Sequence, residues 1–308
     1  MVEGTVVALG GHALGALDPP STQEETLEKA RVVARVLSPL LVSRSGLLVV
    51  HGNGPQVGIE ILRGEMARPR VPPSHLDVSV AQTQGAMGYV LSCAFREEIR
   101  RRGLDLRVVA VVTSVVVAER SDLLKPIGPL LTPDEARAFE RERGWRVAGD
   151  EHGLRRVVPS PRPSSVLEID AIRMLLSAGH LVIAGGGGGI PLASDDRGAL
   201  AGVDAVVDKD RTATLLAIEL GRKRIVHLTS VDAVYRDYGT PRAKPLDRMR
   251  AEEALRLMQE GHFPEGSMGP KIEASLEFLQ AGGESVLITA PERLLDGLAE
   301  RAGTWIVP

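Results

Sequence analysis

Val49-Val50-His51-Gly52-Asn53-Gly54-Pro55-Gln56-Val57-Gly58 passes from a β-branched run, through a glycine loop, into a helical pattern. Leu47 to Val50 reads as a strand, and the apolar spacing near 56–66 reads as a helix. Asn53 is the only asparagine in 308 residues, and it sits in a flexible Asn-Gly step. Chains built for heat often avoid Asn, so its retention at this one place is informative. Asn-Gly suits a tight turn because both residues reach positive φ. It suits a binding loop equally well, and the local sequence leaves the two readings open.

The same passage from strand to glycine occurs twice more. Thr5 to Leu9 reads as a strand ending in Gly10-Gly11. A helix is expected from Thr22, where Thr22 and Glu25 have capping-box spacing. Leu27, Ala30, Ala34, Leu37 and Leu41 recur at three and four along it, and Pro39 should kink or shorten it. A strand at 181–184 runs into Gly185 to Gly189, and a helix is expected over 210–220.

Between and beyond these, the pattern predicts a helix over 78–102 with Met87, Leu91, Phe95 and Ile99 on one face. A single strand over Val108 to Val117 looks buried on both sides. Thr132-Pro133-Asp134-Glu135 opens another helix, with Pro at its first position. Arg155 to Val158 reads as an edge strand closed by Pro159, Pro161 and Pro163. Ser165 to Ala178 reads as a helix stopped by Gly179. A strand at 224–229, helices near 251–260 and 270–281, and strands at 285–289 and 304–307 complete the series. Such alternation predicts an α/β fold with a mainly parallel sheet covered on both faces. Residues 119–157, rich in Arg, Glu, Gly and Pro with weak apolar periodicity, read as a small insertion protruding from the sheet.

Composition narrows the function. A net charge of −3, no basic tract and 3% aromatic residues argue against a nucleic-acid binder, which needs a basic face and stacking rings. Cys93 is alone, so neither a disulfide framework nor a thiolate metal site is available. The start lacks the basic and apolar segments of a signal peptide, and the most apolar stretch, Val108 to Ala118, is too short to span a bilayer. A reduced, cytoplasmic protein is expected. Lysine is scarce: only residues 29, 125, 209, 223, 244 and 271 among 37 Lys+Arg. The Arg bias and Asn scarcity point to a thermophilic or GC-rich source.

In a parallel sheet the carboxyl ends of the strands share one edge, where ligands bind. Three glycine segments at such an edge let backbone N–H groups approach an anion, with helix N-termini adding positive potential. That combination points to a polyanion such as the phosphates of a nucleotide. Three of the few lysines stand in unusual company: Lys125-Pro126-Ile127-Gly128-Pro129, Asp208-Lys209-Asp210 and Gly269-Pro270-Lys271. A compact ammonium suits one phosphate oxygen in a cramped site. No Walker A loop is present, because no Gly-Lys dipeptide occurs. Gly52, Gly54 and Gly58 miss the dinucleotide-binding spacing by one residue. Protein-kinase, metalloprotease and α/β-hydrolase signatures are absent.

An ordered series of motifs covers nearly the whole chain: Ala8-Leu9-Gly10-Gly11, His51 to Gly58, Gln82-Thr83-Gln84-Gly85-Ala86-Met87-Gly88-Tyr89 and Lys125 to Pro129. The series continues through Arg156 to Pro161, Gly186-Gly187-Gly188-Gly189-Ile190-Pro191, Gly202 to Asp210, Gly261-His262-Phe263, Gly266-Ser267-Met268 and Pro270-Lys271. Its order and content make a resemblance to the carbamate kinases of the amino-acid kinase superfamily. It implies a three-layer αβα sandwich over 1–308, with an acceptor half of about 1–180 carrying the protruding subdomain and a nucleotide half of about 181–308. It also implies reversible phosphoryl transfer between ATP and carbamate, giving ADP and carbamoyl phosphate with Mg²⁺, in a homodimer.

On that resemblance, Lys209 and Lys271 would neutralise the bridging phosphoryl group. Gly10, Gly11, His12, Gly52, Asn53 and Gly54 would bind on the acceptor side, the glycines and Asn53 as donors, and Lys125 would reach in from the insertion. Asp210 or Asp208 would orient the lysines or hold Mg²⁺ through water; no direct metal ligand is implied. Gly187, Gly188, Thr229, Asp232, Tyr235, Gly266 and Met268 would frame the nucleotide. His51, His180, His227 and His262 are scattered singly and read as structural. The chain departs from the family where His12 replaces the usual Asn, where Ser114 stands for a common Gln, and in a shorter stretch before Lys125. These departures concern the acceptor. The alternatives are a kinase of another small carboxylate or phosphate acceptor, and a catalytically weak nucleotide-binding sensor.

Overall fold

The computed structural model describes residues 4–10, 14, 20–42, 46–118, 121–150, 153–195, 197–264 and 268–308. Strand β1 (Thr5–Leu9) precedes helix α1 (Gln23–Leu37). The capping box forms as its spacing predicts. Thr22 Oγ1 accepts from the Glu25 N–H at 3.2 Å, and the Glu25 carboxylate accepts from the Thr22 N–H at 2.8 Å. Pro39 ends the α-helix as expected, and the chain tightens into a 3₁₀ turn over Ser38–Val42. Strand β2 (Leu47–His51) leads into α2 (Gly54–Ala67) and then α3 (Leu76–Arg102).

Next come β3 (Val108–Ala110), β4 (Ser114–Val117), β5 (Leu124–Leu131), α4 (Pro133–Arg143), β6 (Val147–Asp150) and β7 (Gly153–Pro159). They are followed by β8 (Pro163–Val166), α5 (Ile169–Ser177), β9 (Leu181–Ile183), β10 (Ile190–Ser194), β11 (Leu200–Gly202) and α6 (Lys209–Glu219). The remaining elements are β12 (Arg224–Leu228), β13 (Val234–Arg236), β14 (Lys244–Leu246), β15 (Arg248–Arg250), α7 (Ala251–Gln259), α8 (Met268–Gln280), β16 (Ser285–Thr289), α9 (Leu294–Leu298) and β17 (Thr304–Val307). Among the described residues, no helix is long and apolar enough to cross a membrane.

The central sheet runs β15-β17-β16-β12-β1-β2-β9-β3. Its pairings are parallel apart from β16 with β17. Side chains alternate between two cores. Val6, Ala8, Leu48 and Val50 face one side with Leu216 of α6, Leu257 of α7 and Phe278 of α8. Val7, Leu9, Leu47 and Val49 face the other with Ala34 of α1 and Leu91 and Phe95 of α3. A strand buried on both faces needs apolar residues at consecutive positions, which is what β1 and β2 carry. The result is the three-layer αβα sandwich expected from the sequence.

Three expectations need correction. Val108 to Val117 is two strands in different sheets, because the Gln84 amide takes both main-chain groups of Thr113. Its Oε1 accepts the Thr113 N–H at 2.8 Å, and its Nε2 donates to the carbonyl at 3.0 Å. Arg155 to Val158 is not an edge: β7 lies between β5 and β6, and β5, with Pro126 and Pro129, takes the edge instead. The helix expected from Ser165 begins at Ile169. Val166 first pairs with Val115 in β8, and Glu168 accepts the Ser114 N–H at 2.7 Å.

Strands β5, β7 and β6 with α4 form the separate small sheet expected of the insertion. It sits on α2 and α3 through Val57, Leu76, Val80, Ile127 and Val158. Arg143 to Glu65 at 2.9 Å and Arg156 to Asp204 at 3.3 Å also tie it to the main body. Glycine also meets glycine there: a Cβ on Gly58 would lie 1.8 Å from Gly128 Cα, and Gly128 itself has φ +79°. Gly58→Ala must therefore displace the backbone of β5, the strand that carries Lys125. It is expected to destabilise the fold by about 1–3 kcal/mol, the usual cost of overpacking. Urea denaturation checks this, and wild-type stability would contradict the fit.

Candidate active site

Because β12, β1, β2 and β9 are neighbours, the loops after them meet at one edge of the sheet. They border a cavity of about 590 Å³. Gly10 follows β1, Gly52, Asn53 and Gly54 follow β2, Gly187 follows β9 and Thr229 follows β12; all line it. Three helices also begin there: α2 at Gly54, α6 at Lys209 and α8 at Met268. Each brings N–H groups without intrahelical partners and a positive dipole end. The cavity wall is thus suited to an anion before any side chain is counted.

The side chains add a compact charge cluster. Asp210 accepts from Lys209 Nζ at 2.9 Å through Oδ1 and from Lys271 Nζ at 2.5 Å through Oδ2. Oδ1 also faces His227 Nδ1 at 3.2 Å. Asp208 caps α6 by accepting the Asp210 N–H at 2.8 Å, and its Oδ2 binds Lys125 Nζ at 2.7 Å. Lys125 arrives from β5, so the small sheet supplies one cation of the cavity.

Burial pushes the Lys209 ammonium down to about 8, with Asp210 opposing the fall. Burial also works against Lys271, but Asp210 outweighs it and holds that ammonium above its ordinary range. Asp208 and Asp210 are desolvated too, yet the adjoining lysines keep both carboxyls well below the usual carboxylate range. The buried charges are tolerable because they are paired.

Asn53 is buried, and its backbone corrects the turn reading. Its φ is −140°, and it stands at the N-cap of α2 without a side-chain cap bond. Asn53 Nδ2 donates to Thr83 Oγ1 at 2.8 Å, while that hydroxyl donates back into α3 at the Ser79 and Val80 carbonyls. The committed hydroxyl proton fixes which end of the amide is nitrogen. Asn53 Oδ1 is buried with no partner among the described residues. A Cβ on Gly187 would lie 2.1 Å from it, so only glycine at 187 leaves room for the amide.

The expected donor set also changes. The Gly10 N–H donates to the Leu228 carbonyl at 2.8 Å, and the Gly52 N–H to the Leu9 carbonyl at 3.3 Å. Both continue the sheet's bonding and are not free for a ligand. Gly54, which opens α2, keeps a donor of the kind a helix start leaves over.

Lys125, Lys209, Lys271, Asp208 and Asp210 all line the cavity, as do Tyr235 and Met268. Gly188 and Asp232 do not. A Cβ on Gly188 would lie 2.2 Å from the Val207 carbonyl oxygen, and the Gly188 carbonyl accepts from Thr212 at 2.7 Å; its role is packing. Asp232 points to the Tyr235 hydroxyl at 2.9 Å. Ser114 also lies outside the cavity lining. Gly11, His12 and Gly266 lie outside the described residues. Sequence reading missed Arg155 and Tyr238, which line the cavity, and His227, which binds Asp210. A histidine inside the apolar run Arg224–Leu228 was the available signal for the last.

The amino acid kinase family model matches residues 3–290. Carbamate kinase of Pyrococcus horikoshii is 36% identical over 315 residues, covering 100% of both chains. Carbamate kinase of Halobacterium salinarum is 40% identical over 312 residues, covering 99% of this chain and 98% of its own. This chain belongs to the carbamate kinases of the amino acid kinase family. A solved carbamate kinase from Giardia lamblia bound to AMP-PNP has a TM-score of 0.89 and 32% identity, covering 98% of each chain.

Proposed function

We propose that this enzyme transfers a phosphoryl group reversibly between ATP and carbamate, and that ADP and carbamoyl phosphate are its partners in ATP synthesis. One observation carries the reading of the site: a single buried carboxylate, Asp210, holds two lysines, Lys209 and Lys271, in a cavity rimmed by glycine loops and helix N-termini. Phosphoryl transfer asks for positioning and for neutralisation of charge on the equatorial oxygens. Two ammoniums spaced by one carboxylate meet that need on both sides of the transferred group.

On this reading the chain works as two halves. Residues of about 1–180 hold the acceptor, through Gly54, Asn53 and Lys125 from the small sheet, while Gly10 and Gly52 line the cavity without donating to it. Residues of about 181–308 hold the nucleotide, with Thr229, Tyr235, Tyr238 and Met268 around it. Asp210 orients the lysines, and Asp208 sets Lys125. Carbamate already carries its charge, so no strong general base is required.

Magnesium fits as an ion carried by the nucleotide phosphates, because Mg²⁺ keeps much of its water and takes few protein ligands. Among the described residues no group of three His, Cys, Asp or Glu side chains could hold a metal alone. Asp208 is the carboxylate that would reach the ion through water, and the ion would supply further neutralisation of phosphate charge. We place the enzyme in the cytoplasm, in keeping with its free Cys93.

ATP should form from ADP and carbamoyl phosphate when Mg²⁺ is present. Lys209→Ala or Lys271→Ala should lower turnover about 10²–10³-fold, the scale for losing a charge-stabilising donor. Lys209 is an ammonium below its pKa of about 8 and a neutral amine above it. The value of kcat/KM, which reports groups of the free enzyme, should therefore decline as pH rises through that value. Absence of ATP with wild-type protein would overturn the function, and full activity of either variant would remove that lysine.

We further propose a homodimer joined at the β3 edge. Tyr89 and Val112 there are 64% and 52% exposed and border a hollow between α3 and β3. Light scattering should give about twice the chain mass of 32.9 kDa; a single-chain mass would contradict it.

A further inference from the structure

We propose that His227 is a positioning residue for phosphoryl transfer, its Nδ1–H fixing Asp210 in the orientation from which that carboxylate spaces Lys209 and Lys271. The proposal rests on the function just argued and extends it to a residue outside the cavity lining.

His227 occupies the fourth position of β12, between Val226 and Leu228 in a strand whose other central residues are apolar. It is 0% exposed. A buried imidazole is costly unless its polar atoms are bonded. Among the described residues, Nδ1 faces Asp210 Oδ1 at 3.2 Å, and Nε2 has no partner. An ionised carboxylate only accepts hydrogen bonds, so Nδ1 must carry the proton and donate. A leucine or isoleucine would fill this place without burying an unpaired nitrogen. Packing alone therefore does not account for the ring, whereas the bond to Asp210 does.

The geometry of Asp210 shows what the bond achieves. Lys271 binds one oxygen and Lys209 the other, so rotation about the Cβ–Cγ bond of Asp210 would move both ammoniums. His227 shares Oδ1 with Lys209 but approaches from the sheet. Both lysines line the cavity and His227 does not. As the ammoniums turn toward phosphoryl oxygens, the imidazole keeps its place and holds the carboxylate. Burial pushes the imidazole toward its neutral form, so the third donor adds no third positive charge.

Three variants separate this role from packing: His227→Leu, His227→Asn and His227→Gln. An Asn amide nitrogen falls near the place of Nδ1, whereas that of Gln falls near Nε2. Each would be assayed for ATP formation from ADP and carbamoyl phosphate, with thermal melting measured on the same samples. Leu and Gln should lower kcat about tenfold, the scale of one hydrogen bond to a charged group, with KM for ADP within about twofold. Asn should recover most of kcat. Wild-type kcat in His227→Leu, or equal kcat in Asn and Gln, would overturn the proposal.

The histidine ¹⁵N spectrum of the wild-type protein at neutral pH gives a second test, independent of turnover and of variant folding. An Nδ1–H tautomer is expected, and an Nε2–H tautomer or an imidazolium would overturn the proposal. If wild-type protein shows the Nδ1–H tautomer but makes no ATP, the function reading fails and the histidine–carboxylate contact stands.

Discussion

The Asp210 carboxylate lies out of water with two lysines on it, and the arrangement of the active site depends on that contact. Taking one ion from water into a protein costs several kcal/mol, which only close partners offset. Lys209 and Lys271 hold Asp210 in its ionised form against burial, and Asp210, with Asp208, supports both ammoniums in return. Lys209 and Asp210 open α6, Lys271 opens α8, and β12 presents His227 to the same carboxylate. Removing one partner from such a set typically costs 3–5 kcal/mol. The contact therefore serves both cohesion and chemistry, as it fixes helix starts relative to the sheet and places two positive charges at one cavity.

Around that cluster the backbone is packed so closely that side chains would obstruct it. Gly187 leaves room for the Asn53 amide, and Gly188 for the Val207 carbonyl. Gly58 and Gly128 let α2 and β5 touch, which seats the small sheet and brings Lys125 to Asp208. The glycines thus act in two ways: some open backbone toward the cavity, and others let charged side chains reach it from separate elements.

Much of this was legible in the sequence. The short apolar runs of β1, β2 and β12 marked strands of a sheet covered on both faces, Thr22 marked a helix start through a capping box that forms, and Thr132-Pro133 marked another. Lys125, Lys209 and Lys271 stood out because the chain otherwise writes Arg. The failures share a cause: a distant partner overrode the local pattern. Gln84 splits the run from Val108 to Val117, and Glu168 delays α5 by binding Ser114. Asn53 was read as a choice between turn and site. It stands at the N-cap of α2 with negative φ, anchored to Thr83, 30 residues away, and it lines the cavity. His227 looked like an isolated histidine because its partner lies 17 residues earlier on another element.

Asp210→Asn tests the central claim most directly, since it keeps the size of the side chain and removes its charge. The measurements are kcat and the pH profile of kcat/KM, which reports the free enzyme, for ATP formation from ADP and carbamoyl phosphate. Without the carboxylate, only Asp208 is left to oppose the effect of burial on Lys209. The account therefore predicts a large loss of kcat and an alkaline limb displaced below the pKa of about 8 that Lys209 has beside Asp210. Wild-type kcat with an unmoved limb would contradict it.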